Sequence, residues 1–283
     1  MLRPGRRCAG PDADTEMTMM RVQFRCDPTL VDILPRPVAA RAALPEWLRR
    51  MPATAPSETH GHDVRTVKQC PPFVDAMMHG FVIPLPCEVT VTDGQLSWDW
   101  PLPKLVTKEH TRSPISFHAP AQLAGSPLHN ASCVAVKFHC FWTIELEAGW
   151  SLFATHPVNR ADLPFRTLTG IVDSDSFHDV GIFFPALWVD PGFAGTLPAG
   201  TPVAQCFPVR REALDLAFAP FTPDEARRYA DTGSAIKGEP GHYRKHHRAR
   251  SSGGELGAQD RRIEDESPGA RGDERMGDGA ERA

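Results

Sequence analysis

Apolar side chains recur at every second position over short stretches of this chain, and prolines keep those stretches short. In CEVTVTDGQLSWDW, Cys87, Val89 and Val91 alternate with polar residues, Asp93-Gly94 supplies a pair suited to positive φ, and Leu96, Trp98 and Trp100 alternate on the return. That pattern predicts a hairpin with one buried face. In CVAVKFHCFWTIELEAGWSLFAT, Val134, Val136 and Phe138 keep the same period and Ile144 and Leu146 continue it. Ala148-Gly149 then turns the chain and Trp150, Leu152 and Ala154 resume, which predicts a second hairpin. The 28 prolines cannot donate to a ladder, so they mark sheet edges and loops between short elements. Helices are expected to be few and peripheral. One candidate is VAARAALPEWLRRM, broken near Pro45; another follows TPDE, where Thr222 caps, Pro223 takes the first helical position and Glu225 closes a capping box.

Composition bounds the class. With 283 residues, 41% of them hydrophobic and 23% charged, the chain has enough apolar mass for a sizeable core. No run of about 18 apolar residues marks a membrane helix, and the N-terminal arginines are not followed by an apolar segment, so the expected location is the cytoplasm. Cys8, Cys26, Cys70, Cys87, Cys133, Cys140 and Cys206 form no CxxC pair, which argues against a zinc ribbon or a disulfide framework. A net charge of -4 offers no overall attraction to nucleic acid or anionic lipid. Residues 1–19 lack apolar periodicity and read as a flexible leader, 20–231 as the folded domain, and 232–283 as a disordered charged tail poor in large apolar groups. Within that tail the basic HYRKHHRAR is offset by the acidic Glu264–Glu266 run and reads as solvated.

Three blocks, KQCPPFVDAMMHGFVIPLPCEVTV, GWSLFATHPVNR and GTPVAQCFPVRRE, resemble those of a family of bacterial and phage proteins, over most of residues 25–212. No activity follows from that likeness. The order DAMMHGF, IELEAGWSLF, GIVDSDSF and LPAGTPVAQCFPV is more distantly similar to the block order of the dUTPase-like, β-clip family. This second resemblance implies an all-β, jelly-roll-type β-clip domain with minor helices, assembled as a homo-oligomer. It also implies that Asp173 activates a water with Asp175 as its partner, and that Gln205 lies on the strand after the Gly200 turn. The departures are specific. Ser176 stands where the family has a sugar-stacking tyrosine, Thr201-Pro202 replaces the charged pair after the glycine, and the family's phosphate-binding and glycine-rich closing segments are absent.

Read from the residues alone, Asp173 follows the apolar Ile171-Val172, and partial desolvation there suits a general base or a cation ligand. His156, Asn159 and Arg160 in HPVNR, with Gln205 and the pair His118 and Gln122 in FHAPAQ, are candidate ligand-binding residues. His156, Asp173 and His178 are the candidate set for a divalent metal such as Fe(II), Mn(II) or Zn(II). Each has a plainer structural counterpart. The aspartates suit a turn held by local backbone hydrogen bonds, and His156 suits a satisfied structural role. His60–Asp63 (HGHD) reads as a solvated loop, the tryptophans as packing, and Arg210-Arg211 as a solvated strand end. The expected function is binding or hydrolysis of a nucleotide-like or other phosphorylated small molecule through an Asp-activated water. The alternatives are a His/Asp-ligated metal enzyme and a non-catalytic assembly protein that keeps the scaffold.

Overall fold

A computed structural model of the chain describes residues 20–107, 112–128 and 134–248. The predicted leader and residues 249–283 of the predicted tail lie outside the described residues. The chain is mostly antiparallel sheet and divides into two compact units, one of residues 20–45 with 75–221 and one of 46–74 with 222–248. The range 20–231 read as one folded domain contributes to both units.

Four sheets build the first unit. Numbered along the chain, β13 (Gly170–Val172), β11 (Trp150–Thr155), β16 (Pro202–Arg210), β5 (Phe81–Pro84) and β2 (Val38–Ala39) lie in that order in the largest. A second sheet orders β12 (Phe165–Thr167), β14 (Phe183–Trp188), β9 (Ala135–His139) and β8 (Ile115–Phe117). Smaller sheets join β15 (Gly195–Leu197), β6 (Val89–Thr92) and β7 (Gln95–Ser97), and pair β1 (Gln23–Arg25) with β10 (Thr143–Glu145). One hydrophobic core draws on the inward residues of all these sheets, among them Ile83, Val89, Ile115, Phe138, Ile144, Leu152 and Phe165. Phe138 and Phe165 meet with ring centroids 4.6 Å apart. Trp142 and Trp188 are buried and donate Nε1–H to the carbonyls of Pro35 and Asp190, so the tryptophans serve packing as read.

The first predicted hairpin is present: Thr92 faces Gln95 across a turn with Asp93 at φ 51° and Gly94 at φ 72°. Cys87, Val89 and Val91 are all buried. The second predicted hairpin is not formed. The run from Val134 to Ala154 breaks into β9, β10 and β11, which belong to three different sheets; β10 pairs with β1, and β11 lies between β13 and β16. Period two reports which face is buried and is silent on which strand lies alongside. The break comes at Cys140–Trp142, where the Cys140 thiol donates to the Trp142 carbonyl and Gly181 approaches so closely that a Cβ there would lie 1.9 Å from the Cys140 carbonyl oxygen.

Helices are secondary. In the first candidate region a 3-10 turn (Ala40–Ala43) and α1 (Glu46–Arg50) flank Pro45 as expected. The second unit holds α1, the hairpin of β3 (Thr54–Ser57) and β4 (His62–Arg65), α3 (Pro223–Gly238) and α4 (His242–His246), while α2 (Pro71–Met78) crosses the division between units. The Thr222 capping box forms as read, with Glu225 N–H donating to Thr222 Oγ1 at 3.3 Å and Thr222 N–H to Glu225 Oε2 at 2.7 Å. That cap, with Asp224 and Glu225 in the first turn and Lys237 in the last, carries α3 past Asp231 into the segment expected to be disordered. Apolar content underrates a helix that is held by its ends.

Gly80 explains how β5 reaches β16. It follows α2 at φ +72°, and a Cβ there would sit 2.1 Å from the Cys206 carbonyl oxygen, a backbone atom that cannot step aside. Gly80→Ala is expected to destabilise the protein by about 2–4 kcal/mol through positive-φ strain and overpacking. Chemical denaturation checks this, and a loss below 1 kcal/mol would mean that the close approach is soft.

Candidate functional site

The GIVDSDSFH loop begins as β13 and turns at once. Asp173 accepts from the N–H groups of Ser176 at 3.0 Å and Phe177 at 2.8 Å through its carbonyl, which closes the turn. The carboxylates are taken up by residues from two other places. Ser151 Oγ, on β11, donates to Asp173 Oδ1 at 2.6 Å. Gly149 N–H, in the turn before β11, donates to Asp175 Oδ2 at 2.9 Å. Arg211, just past the end of β16, spans both: Nη1 donates to Asp175 Oδ1 at 2.9 Å and to Asp173 Oδ1 at 3.3 Å, and Nη2 donates to Asp175 Oδ2. The Arg211 N–H also binds the Gly149 carbonyl at 3.0 Å.

The two aspartates differ electrostatically. The Asp175 side chain is 11% exposed, and the Arg211 guanidinium, aided by Gly149 N–H, holds its carboxyl well below the usual carboxylate range. It is ionised and a poor proton acceptor. The Asp173 side chain is 61% exposed, so the desolvation expected from its apolar neighbours is absent: Ile171 itself faces solvent at 62% exposure. The reading of Arg210-Arg211 as a solvated strand end also gives way. Arg210 lies over the Trp150 ring at 5.6 Å and Arg211 is the clamp. No local pattern announces Arg211, because its partners are 36 and 38 residues away in sequence.

The other candidates lie elsewhere. His156 Nδ1 accepts from Thr167 N–H at 3.2 Å and Nε2–H donates to the Arg160 carbonyl at 2.9 Å. Both ring nitrogens are therefore occupied, and burial lowers its pKa from the ordinary histidine value. Asn159 occupies the left-handed region at φ 59°, and the Arg160 guanidinium is bound by Asp162 at 2.8 Å. Gln205 does lie on β16 after the Gly200 turn. It is 2% exposed, with Nε2 donating to the carbonyls of Ala76 at 3.0 Å and His79 at 2.7 Å and Oε1 accepting from Val158 N–H at 2.9 Å. Arg160 and Gln205 line a shallow cleft with Leu44, Met77 and Val82 that is too small to enclose a ligand. His118 Nδ1 and Ala119 N–H share Gln122 Oε1, which caps the 3-10 turn Pro120–Leu123.

The proposed metal set is not assembled. His156 follows the far end of β11 from Ser151, five residues or roughly 16 Å of strand away from the oxygen that holds Asp173. His178 keeps a buried Nδ1 without a hydrogen-bond partner. Among the described residues, the ligand-type groups that do converge are Glu239, His242 and His246. His60 and His62 sit on the exposed β3–β4 hairpin with rings 5.9 Å apart, His60 bonded to Ser57, as a solvated segment should be.

Two pH dependences follow. The depressed pKa of Asp175 means its stabilisation is present above the unfolded carboxylate value of about 3.9 and is lost as pH falls through the folded value. Asp175→Asn should therefore lower the melting temperature more than Asp173→Asn at pH 6, and that difference should shrink at pH 3. Equal effects at both pH values would remove the clamp. His156, also depressed, contributes stability that is full above about pH 6.5 and declines below it, since the unfolded chain then binds the extra proton. Wild-type protein should lose stability between pH 6.5 and 5 more steeply than His156→Gln, measured by thermal denaturation. Comparison of the sequence with protein-family models and with curated proteins finds no match to either.

Proposed function

We propose that this protein is a homo-oligomeric assembly protein, in which an extended arm of one copy adds to the free edge of β13 in a second. The single observation that carries this reading is the arm, residues 212–221. Leu214, Leu216 and Phe218 alternate along it at 86%, 72% and 91% exposure, and among the described residues no strand pairs with it. Alternating apolar groups on a segment that pairs with no strand of its own chain among the described residues suit strand addition to an open sheet edge. Burying a large apolar side chain is worth about 1.5–3 kcal/mol, so three give about 5–9 kcal/mol per arm. Association costs about 4–15 kcal/mol, which favours two arms exchanged reciprocally over one.

The occupant is argued from the chain itself. Residues 249–283 contain only Leu256, Ile263 and Met276 as large apolar residues, too few to cover the arm. On the edge strand β13, Ile171 is 62% exposed, and beyond the turn Phe177 and Val180 are each 53% exposed. Arg211, the root of the arm, holds that same turn through Asp175. A clamp that sets both an apolar edge and the departure point of an apolar arm is what a reciprocal contact requires. The hydrolytic reading has less support, since a phosphate would compete with Asp175 for Arg211. The scaffold is read as β-clip on the block order, with GIVDSDSF at β13 and its turn and GTPVAQCFPV at β16.

Light scattering of the full chain at tens of micromolar should give a mass of two or more protomers. Leu216→Asp/Phe218→Asp should shift it to one protomer, and Ile171→Asp should do the same from the receiving side. A monomeric wild type, or an arm variant that keeps the wild-type mass, overturns the proposal.

A further inference from the structure

From the geometry at the junction of α3 and α4, we infer that Glu239, His242 and His246 form a binding site for a transition-metal dication of the Zn(II) class. Glu239 ends α3, its N–H bonded to the Ala235 carbonyl at 2.8 Å. Gly241, at φ +79°, reverses the chain so that α4 starts beneath it, with His242 N–H on the Glu239 carbonyl at 3.1 Å. His242 and His246, four residues apart, share one helical face, and their ring centroids are 4.5 Å apart. Both rings turn to the same carboxylate oxygen. Glu239 Oε2 lies 2.7 Å from His242 Nδ1 and 3.3 Å from His246 Nε2, and the three ligand atoms all lie within 4.8 Å of one another.

These spacings are close to those a metal demands. A tetrahedral ion with ligands at about 2.1 Å places them about 3.4 Å from each other. The His246 pair already has that separation, and the His242 pair reaches it by opening about 0.7 Å, within the reach of a side-chain rotation. Two neutral imidazoles and one carboxylate suit Zn(II), Co(II), Ni(II) or Cu(II), while Mg(II) and Ca(II) prefer oxygen donors. Lys245 Nζ binds the other oxygen, Glu239 Oε1, at 2.8 Å, and so orients the carboxylate with Oε2 toward the imidazoles. The site has three protein ligands, and water completes the coordination shell.

The test uses untagged full-length protein, stripped with chelator and titrated with Co(II) while the visible d–d absorption is followed, then back-titrated with Zn(II). One equivalent should bind, with Zn(II) displacing Co(II). His246→Ala and Glu239→Gln should each weaken binding by at least about tenfold, whereas His60→Ala/His62→Ala should leave it unchanged. Glu239 and His246 are 39% and 52% exposed, so circular dichroism of Glu239→Gln and His246→Ala should match wild type. Absence of saturable binding in wild type overturns the inference, as does binding that survives both single substitutions unchanged.

Discussion

The fold depends most on one buried amide. Gln205 sits in the middle of β16, the strand bracketed by β11 and β5, and its side chain holds two neighbouring segments that make no ladder with it. Its amide N–H groups meet the carbonyls of Ala76 and His79 at the end of α2, and its carbonyl oxygen meets Val158 N–H in the loop after β11. Each of those backbone groups would otherwise be a polar orphan near the core. Gly80 depends on the same place, since the chain leaves α2 against the carbonyl of Cys206, the next residue along β16. The α2 terminus, the HPVNR loop and the central strand are therefore one arrangement.

Arg211 does for the other end of β16 what Gln205 does for its middle. Two aspartates in a short turn are a recurrent sign of catalysis, but their behaviour is set by what faces them. Here a guanidinium holds Asp175 on both oxygens and touches Asp173, and Ser151 completes the fixation of Asp173. One guanidinium facing two carboxylates compensates Asp175 and leaves Asp173 exposed with a single longer contact. The same clamp fixes where residues 212–221 leave the sheet, so an acidic turn and an apolar arm share one anchor.

Much of the candidate site was legible by residue type and little by partner. Gln205 lies on the strand after the Gly200 turn, the position that the dUTPase-like block order implies for it. Its amide's use inside the protein was not legible, since Ala76 and His79 lie 129 and 126 positions away. His156 illustrates the same limit. Both its structural and its metal-binding readings fit the HPVNR sequence, and only the positions of the Thr167 N–H and the Arg160 carbonyl separate them. The Glu239, His242 and His246 cluster was hidden in a segment that composition marked as solvated, and a three-residue turn at Gly241 brings it together.

By itself the sequence determined what short-range stereochemistry governs: the Asp93-Gly94 turn, the buried Cys87, Val89 and Val91 face of the strand before it, the Thr222 capping box, and the sheet-rich class that follows from period two. Those features depend on a residue and its neighbours within a few positions, where φ preference and alternation act directly. Tertiary structure alone decided that β9, β10 and β11 enter three sheets, that Arg211 closes on Asp175, and that residues 212–221 pair with no strand among the described residues. These outcomes depend on which surfaces meet after the chain has folded back over tens of residues, and no local pattern encodes that meeting.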